Sequence, residues 1–82
     1  MIAYVLLKTR AGRSKSLVDY LQTLEGVEEA AAVYGGADVI VKVEVSDSSA
    51  LARLIMEKIQ GIASVESTQT LIVVEGMASP PE

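Results

Sequence analysis

The chain has 82 residues, a formal net charge of −4, and neither cysteine nor histidine. Without these two residue types it has no disulfides, no thiolate or imidazole catalysis, and no nitrogen or sulfur side-chain ligands of the kind that zinc prefers. The acidic balance argues against direct nucleic-acid binding, because affinity for the phosphate backbone comes mainly from Lys and Arg. We therefore expect no metal site, no cofactor and no direct contact with nucleic acid.

The length and composition predict one small domain with an aliphatic core, since the chain has no Phe and no Trp. A domain of this size buries only about 60% of its extended-chain surface, so a monomer would be marginally stable. The apolar start is too short for a secretory signal, and no run approaches the roughly 20 apolar residues of a membrane span. We expect a cytoplasmic protein without membrane contact, with one domain over residues 1–76 and a disordered, proline-containing tail over residues 77–82.

The first half of the chain is predicted to form a strand, a helix and a second strand. Residues 2–9 are an apolar run rich in strand-forming residues, and Ser14 is suited to cap the helix that follows. Gly26 is placed to end that helix. Apolar residues recur at helical spacing between them, and the strand over residues 27–34 offers an inward set. These two groups are Leu17, Tyr20, Leu21 and Leu24 in the helix, and Val27, Ala31 and Val33 in the strand.

The second half repeats this order. Gly35 and Gly36 are predicted to supply the positive φ angles of a tight reversal into a strand over residues 38–45. Ser46 or Asp47 would cap the second helix, and Gly61 would end it. A last strand is predicted over residues 65–75. The inward strand residues are Val39, Val41, Val43 and Val45, and the helical stripe is Leu51, Leu54, Ile55 and Ile59.

An internal repeat supports this arrangement, because the apolar–acid/amide–Gly–apolar phrase occurs twice, with Gly26 and Gly61 separated by 35 positions. Two such halves in the order β-α-β-β-α-β form a ferredoxin-like α+β fold, in which a four-stranded antiparallel sheet carries both helices on one face. The first strand and the end of the last are apolar on both sides. A second copy facing the uncovered side, as in a dimeric α+β barrel, would explain this pattern. Scattered apolar surface residues of a monomer are the alternative.

No catalytic constellation is present, so we do not expect an enzyme. A binding site is the better hypothesis: the Gly35 and Gly36 N–H groups could receive a carboxylate, and Asp38 could hold an ammonium group. Together they would accommodate an amino-acid zwitterion. Asp38 could instead bond backbone N–H groups at the end of the turn. Tyr34 could close the pocket or only shield the hairpin.

A second polar segment begins the last strand, where packing alone would favour Val or Ile. It consists of Ser67, Thr68, Gln69 and Thr70. These side chains could line a pocket, or they could form a solvent-exposed strand segment with good β propensity.

The residues Gly35-Gly36-Ala37-Asp38 before an apolar strand resemble the Gly-x-aromatic-Asp of the ligand-binding (RAM) domain of the Lrp/AsnC regulators. The residues Val65 to Thr70 likewise resemble the Val-x-x-Thr-x-Thr motif of that family. The resemblance covers about residues 1–76. Ala37 stands where the family usually has an aromatic residue, and the sequence lacks the family's helix-turn-helix domain, so the chain looks like a stand-alone RAM module.

The resemblance implies sheet-to-sheet dimers that associate into a ring, with an amino-acid effector bound between dimers. It implies effector-dependent assembly that modulates transcription or amino-acid metabolism. The ligand-binding residues it implies are Tyr34, Gly35, Gly36, Ala37, Asp38, Ser67, Thr68, Gln69 and Thr70.

Three alternatives stay open at the level of sequence. The chain could be an interaction module that forms mixed oligomers with full-length Lrp/AsnC regulators. It could be an ACT domain, for which Gly12 is the one supporting residue, or a small dimeric α+β barrel enzyme resembling the quinol monooxygenases.

Overall fold

A computed structural model describes residues 1–74 and 76 of the chain. The tail predicted at residues 77–82 lies outside the described residues. In chain order the elements are β1 (Ile2–Thr9), α1 (Ser14–Leu21), β2 (Val27–Ala32), β3 (Val39–Glu44), α2 (Ser48–Arg53), a π-helical segment (Leu54–Ile59) that continues α2, and β4 (Val65–Ile72).

The four strands form one antiparallel sheet in the order β2-β3-β1-β4. The first strand of each repeat, β1 and β3, therefore lies at the centre, and the second strand of each repeat lies at an edge. This topology confirms the predicted ferredoxin-like fold. It also brings two segments that are far apart in sequence, the β2–β3 loop and the start of β4, to the same end of the sheet.

The core lies between one face of the sheet and the helices, and it is aliphatic as predicted. Alternate residues of the two central strands are fully buried, because every second side chain of a strand points to the same side. The strand residues are Ala3, Val5, Leu7, Val39, Val41 and Val43, and the helical residues are Leu17, Leu21, Leu51, Leu54, Ile55 and Ile59.

The predicted inward set of β2 is wrong at two of its three positions. Val27 pairs with Val43 but Glu29 pairs with Lys42, so the strand contains a bulge at Glu28. A bulged residue reverses the alternation that follows it. Ala30 is buried on the helix side, whereas Ala31 pairs with Ile40 on the other side. Val33 lies beyond the end of the strand and is exposed.

The helix starts differ from prediction in one case and agree in the other. Ser14 is the first residue of α1 rather than its cap, and Arg13 at the N-cap position makes no side-chain capping bond. The α2 start is as predicted: Asp47 Oδ1 accepts a hydrogen bond from the backbone N–H of Ala50 at 2.8 Å. Gly26 has a φ of 93° but lies in the loop, beyond the end of α1 at Leu21.

The second half of the long helix has π-helical hydrogen bonding, which the sequence did not predict. The N–H of Gln60 donates to the carbonyl of Ile55, five residues earlier, at 2.7 Å. Leu54, Ile55 and Ile59 nevertheless remain in the core, while Met56 is exposed. The wider turn thus keeps the predicted apolar stripe against the sheet.

The side of the sheet that faces away from the helices, here called the open face, carries apolar side chains. The register places Tyr4 opposite Leu71 on β4, and Leu6 opposite Ile40 on β3. Leu71 is 46% exposed, and Tyr4, Leu6 and Ile40 are half-buried. The predicted apolar character of both sides of β1 is therefore confirmed, and none of the helices within residues 1–74 covers this face.

Candidate functional site

The two predicted polar segments are the loop of residues 34–38 and the start of β4 at residues 67–70. They lie at the same end of the sheet, on opposite sides of β1. On one side, the N–H of Asp38 donates to the carbonyl of Leu7 at 2.9 Å. On the other side, Thr68 pairs with Leu7 and Ser67 pairs with Lys8. Neighbouring strands are about 4.8 Å apart, so the two segments are separated by about 10 Å across β1. The structure brings them to one end of the sheet without direct contact between them.

The Asp38 carboxylate connects the start of β3 to the end of β1. Its Oδ2 accepts a hydrogen bond from the backbone N–H of Thr9 at 2.9 Å, and the side chain is half-buried. A contact of this kind matches the structural role that the sequence left open for Asp38, although the N–H belongs to a distant residue and not to the turn. The bond uses one of the two carboxylate oxygens.

The loop between β2 and β3 is wider than a two-residue turn. Val33 N–H donates to the Asp38 carbonyl at 2.9 Å, which encloses four residues between them. Gly35 has a φ of 115°, but Gly36 does not have a positive φ, so the predicted pair of positive angles is wrong at Gly36. Tyr34 is fully exposed and closes no pocket within the single chain, whereas Ala37 is buried.

Both glycines of this loop face open space. A Cβ atom built at Gly35 or at Gly36 would meet no heavy atom within 4 Å. A ligand or a second chain can therefore approach this backbone closely, as the zwitterion hypothesis requires.

The Ser67 to Thr70 segment is divided between the two faces of the sheet. Thr68 and Thr70 pair with the core residues Leu7 and Val5 and so face the helices, whereas Ser67 and Gln69 lie on the open face. Thr68 Oγ1 accepts a hydrogen bond from Gln60 Nε2 at 3.3 Å. One pocket in a single chain cannot be lined by all four side chains.

Two large grooves of the described residues lie elsewhere. One of about 770 Å³ is lined by residues that include Gly26, Ser46 and Leu54, and one of about 970 Å³ by residues that include Met1 and Ile72. Both lie at the opposite end of the sheet, and neither contains a predicted ligand-binding residue. Within the described part of the chain, Asp, Glu, His and Cys side chains form no cluster suited to a metal ion.

Two residues at this end of the sheet carried no signal in the sequence. Strand pairing places Lys8 between Asp38 on the β3 side and Ser67 on the β4 side. Gln60 follows the π-helical segment, and its side chain donates a hydrogen bond to Thr68. The register of β4 against β1 identifies Lys8, and a side-chain hydrogen bond to Thr68 identifies Gln60. None of the helices in residues 1–74 has the length and hydropathy needed to cross a membrane.

Comparison with known proteins decides the family. The family model described as the Lrp/AsnC ligand binding domain matches residues 2–81. The chain belongs to the Lrp/AsnC ligand-binding domain family. The resemblance inferred from the glycine turn and the Val-x-x-Thr-x-Thr segment is thereby confirmed.

Relatives and solved structures agree with this assignment. The chain is 31% identical over 75 residues to the HTH-type transcriptional regulator FL11 of Pyrococcus abyssi, an alignment covering 92% of this chain and 49% of that protein. It is 36% identical to the crystal structure of FFRP-DM1, with a TM-score of 0.85 and coverage of 89% and 97%. The structure of E. coli AsnC gives 27% identity, a TM-score of 0.87, and coverage of 99% and 55%.

The Lrp/AsnC domain spans about half the length of the curated relatives it matches. Those relatives are transcriptional regulators, which favours a regulatory role over the barrel-enzyme alternative.

Proposed function

We propose that this Lrp/AsnC domain binds an amino-acid effector between copies of itself in the cytoplasm, and that the effector shifts its assembly. One observation carries the proposal. The two polar segments lie at one end of the sheet, yet neither of the two large grooves described above contains them. A site composed of these residues is completed only when a second chain approaches that end.

The open face supports the assembly. Leu71, Tyr4, Leu6 and Ile40 form a diagonal apolar row across three strands, and burial of apolar surface is the main driving force for association. A second copy related by a two-fold axis presents the same surface and would cover it. We propose that such dimers associate further into a ring through the end of the sheet that carries the polar segments.

The chemistry of the loop fits an amino-acid zwitterion. The open backbone at Gly35 and Gly36 would receive the α-carboxylate, and Asp38 would bind the ammonium group through its charge. The site would be completed by Tyr34, Ala37 and the segment Ser67, Thr68, Gln69 and Thr70. Because the side chains of this segment alternate between the two faces of β4, those on one face would contact a different copy from those on the other. A ligand that contacts only the assembled form favours assembly by mass action.

A second function is supported by the relatives. Regulators about twice as long contain a matching domain, so their sheets would offer this chain an equivalent surface. On this alternative, the protein forms mixed oligomers with full-length Lrp/AsnC regulators and changes transcription by altering their assembly.

A thermal-shift screen of the purified protein against the twenty common amino acids tests the effector proposal. A ligand at about 100 times its dissociation constant adds roughly 2.7 kcal/mol to the free energy of unfolding, which raises the Tm of a small domain by several degrees. Light scattering with and without the stabilising amino acid should show an increase in mass. If no amino acid raises the Tm of the folded protein, the effector proposal is wrong, and co-purification with a full-length regulator becomes the test of the mixed-oligomer function.

Two substitutions of Asp38 distinguish a structural role of its side chain from a role in binding the ligand. Asp38→Ala removes the acceptor of the Thr9 N–H, and we expect it to lower the free energy of unfolding by about 1–2 kcal/mol and to weaken effector binding. Asp38→Asn keeps an acceptor oxygen but removes the charge. We expect this variant to regain most of the stability while binding stays weak, as measured by urea unfolding and calorimetric titration. Parent-like binding by Asp38→Asn would show that the carboxylate does not hold the ammonium group.

A further inference from the structure

Lys8 lies between the two halves of the proposed site. The residues on either side of it contact Asp38: the Leu7 carbonyl accepts from the Asp38 N–H, and the Thr9 N–H donates to the Asp38 carboxylate. On the β4 side, Lys8 is paired with Ser67. Leu7 and Thr9 are buried while Lys8 is exposed, so the Lys8 side chain extends from the open face, between the glycine loop and the polar start of β4.

The charge around Lys8 contrasts with that of the whole chain. Four of the seven basic residues lie between positions 8 and 15, in a protein whose net charge is −4. Lys15 is paired with Asp19 at 2.9 Å, and the other ion pair found among the described residues joins Lys42 to Glu28 at 3.9 Å. Lys8 and Arg10 are therefore in no ion pair with any residue in the described part of the chain.

Arg10 is held at the same end of the sheet as Lys8. Its backbone N–H donates to the Ser64 carbonyl at 2.9 Å, immediately before the start of β4. Asp38 and Glu66 are the acidic residues nearest in the strand pairing. Neither of them forms an ion pair with Lys8 or Arg10 among the described residues.

A neutral amino acid would leave this charge uncompensated. Its carboxylate and its ammonium group would be matched by the glycine loop and by Asp38. Closing a second chain over the site would then remove water from Lys8, which is unfavourable unless a counter-charge accompanies it. A second carboxylate on the effector would provide that counter-charge and form a charge-assisted hydrogen bond with the ammonium group.

We propose that the site selects amino acids with an acidic side chain, and that Lys8, assisted by Arg10, binds the side-chain carboxylate. This inference rests on the proposed function and specifies the class of its effector. The selectivity comes from charge, so it distinguishes aspartate and glutamate from their isosteric amides.

Calorimetric titration of the full chain with L-aspartate, L-asparagine, L-glutamate and L-glutamine tests the proposal. We expect at least one acid to bind about tenfold or more tightly than its amide, with a preference that declines as salt rises. Lys8→Met retains most of the length and the apolar character of the side-chain stem and removes the charge. In this variant the affinity for the acid should fall to that of the amide, while the affinity for the amide stays the same.

Lys15→Met is the matched control, because Lys15 belongs to the same basic segment but already pairs with Asp19 on α1. It should leave the affinities for acid and amide as they are in the parent. Neutral or basic amino acids binding more tightly than the acids would overturn the proposed selectivity while leaving the effector function intact. An equal loss for acid and amide in Lys8→Met would overturn the role of Lys8. Binding of no amino acid at all would overturn the proposed function itself.

Discussion

At the scale of single residues, Gly35 and Gly36 are adjacent and both face open space, yet only one of them requires glycine for its backbone conformation. Gly35 has a φ of 115°, a backbone angle that residues with a Cβ atom rarely adopt, whereas the φ of Gly36 lies outside that region. The absence of side chains at both positions allows close approach to the backbone. The folding requirement and the binding requirement are therefore separable.

We expect Gly35→Ala to lower the free energy of unfolding by about 1–2 kcal/mol, because alanine would be strained at this φ angle. Gly36→Ala should leave stability unchanged or raise it by about 0.4–1 kcal/mol, since it restricts the unfolded chain. Urea unfolding of the two variants measures the difference. Equal destabilisation by both would contradict the backbone conformation described for this loop.

At the scale of elements, the long helix shows which properties of an apolar stripe are robust. Leu54, Ile55 and Ile59 face the core in the π-helical segment, because the wider turn, with hydrogen bonds between residues five apart, keeps residues four and five apart near one face. The stripe therefore predicted the correct face but not the hydrogen bonding. The hydrogen bond from the Gln60 N–H to the Ile55 carbonyl establishes the π-helical turn. The segment ends at Ile59, and the side chain of the next residue, Gln60, donates to Thr68.

Ile59 and Met56 provide a comparison within this one segment. Ile59 is fully buried, so Ile59→Ala should lower the free energy of unfolding by about 2–5 kcal/mol, and the milder Ile59→Val by about 0.5–1.5 kcal/mol. Met56 is 66% exposed, and Met56→Ala should change stability by no more than about 0.5 kcal/mol. Chemical denaturation measures all three variants. A large effect of Met56→Ala would contradict the orientation of the π-helical segment.

At the scale of the whole molecule, the helices cover one face of the sheet, and apolar side chains remain on the open face. The open face includes Leu6 opposite Ile40 and Tyr4 opposite Leu71. A small domain that leaves this much apolar surface uncovered gains stability by associating with another copy. The proposed dimer thus follows from the same two-faced strands that establish the fold.

Leu71→Glu tests this association. We expect the parent chain of 8.7 kDa to elute as a dimer or larger assembly, and the variant to shift towards the monomer, because dimerisation would bury the new charge. Met56→Glu places the same charge on the helix side at a more exposed position, and its mass should remain that of the parent. Light scattering coupled to gel filtration measures each mass. A monomeric parent, or a Leu71→Glu variant with the parent's mass, would rule out the sheet-to-sheet dimer.

The sequence by itself determined the order of elements, the aliphatic core and the family, and it narrowed the α2 cap to Ser46 or Asp47. These properties depend on contacts between residues close in the chain, which leave a periodicity of two or of about 3.6 that can be read directly. The glycine loop and the Val65 to Thr70 segment were recognisable for the same reason, since each is a short continuous motif.

Only the tertiary structure decided how those segments meet. The bulge at Glu28 reversed the faces of β2, and the pairing of β4 with β1 placed Thr68 on one face and Ser67 on the other. The same pairing brought Lys8 between the polar segments, although no local pattern marks it. Strand register is determined by hydrogen bonds and burial between distant parts of the chain, and a shift of one residue would exchange the two faces. For that reason the sequence identified the polar segments, but only the folded sheet shows which of their side chains can share a ligand.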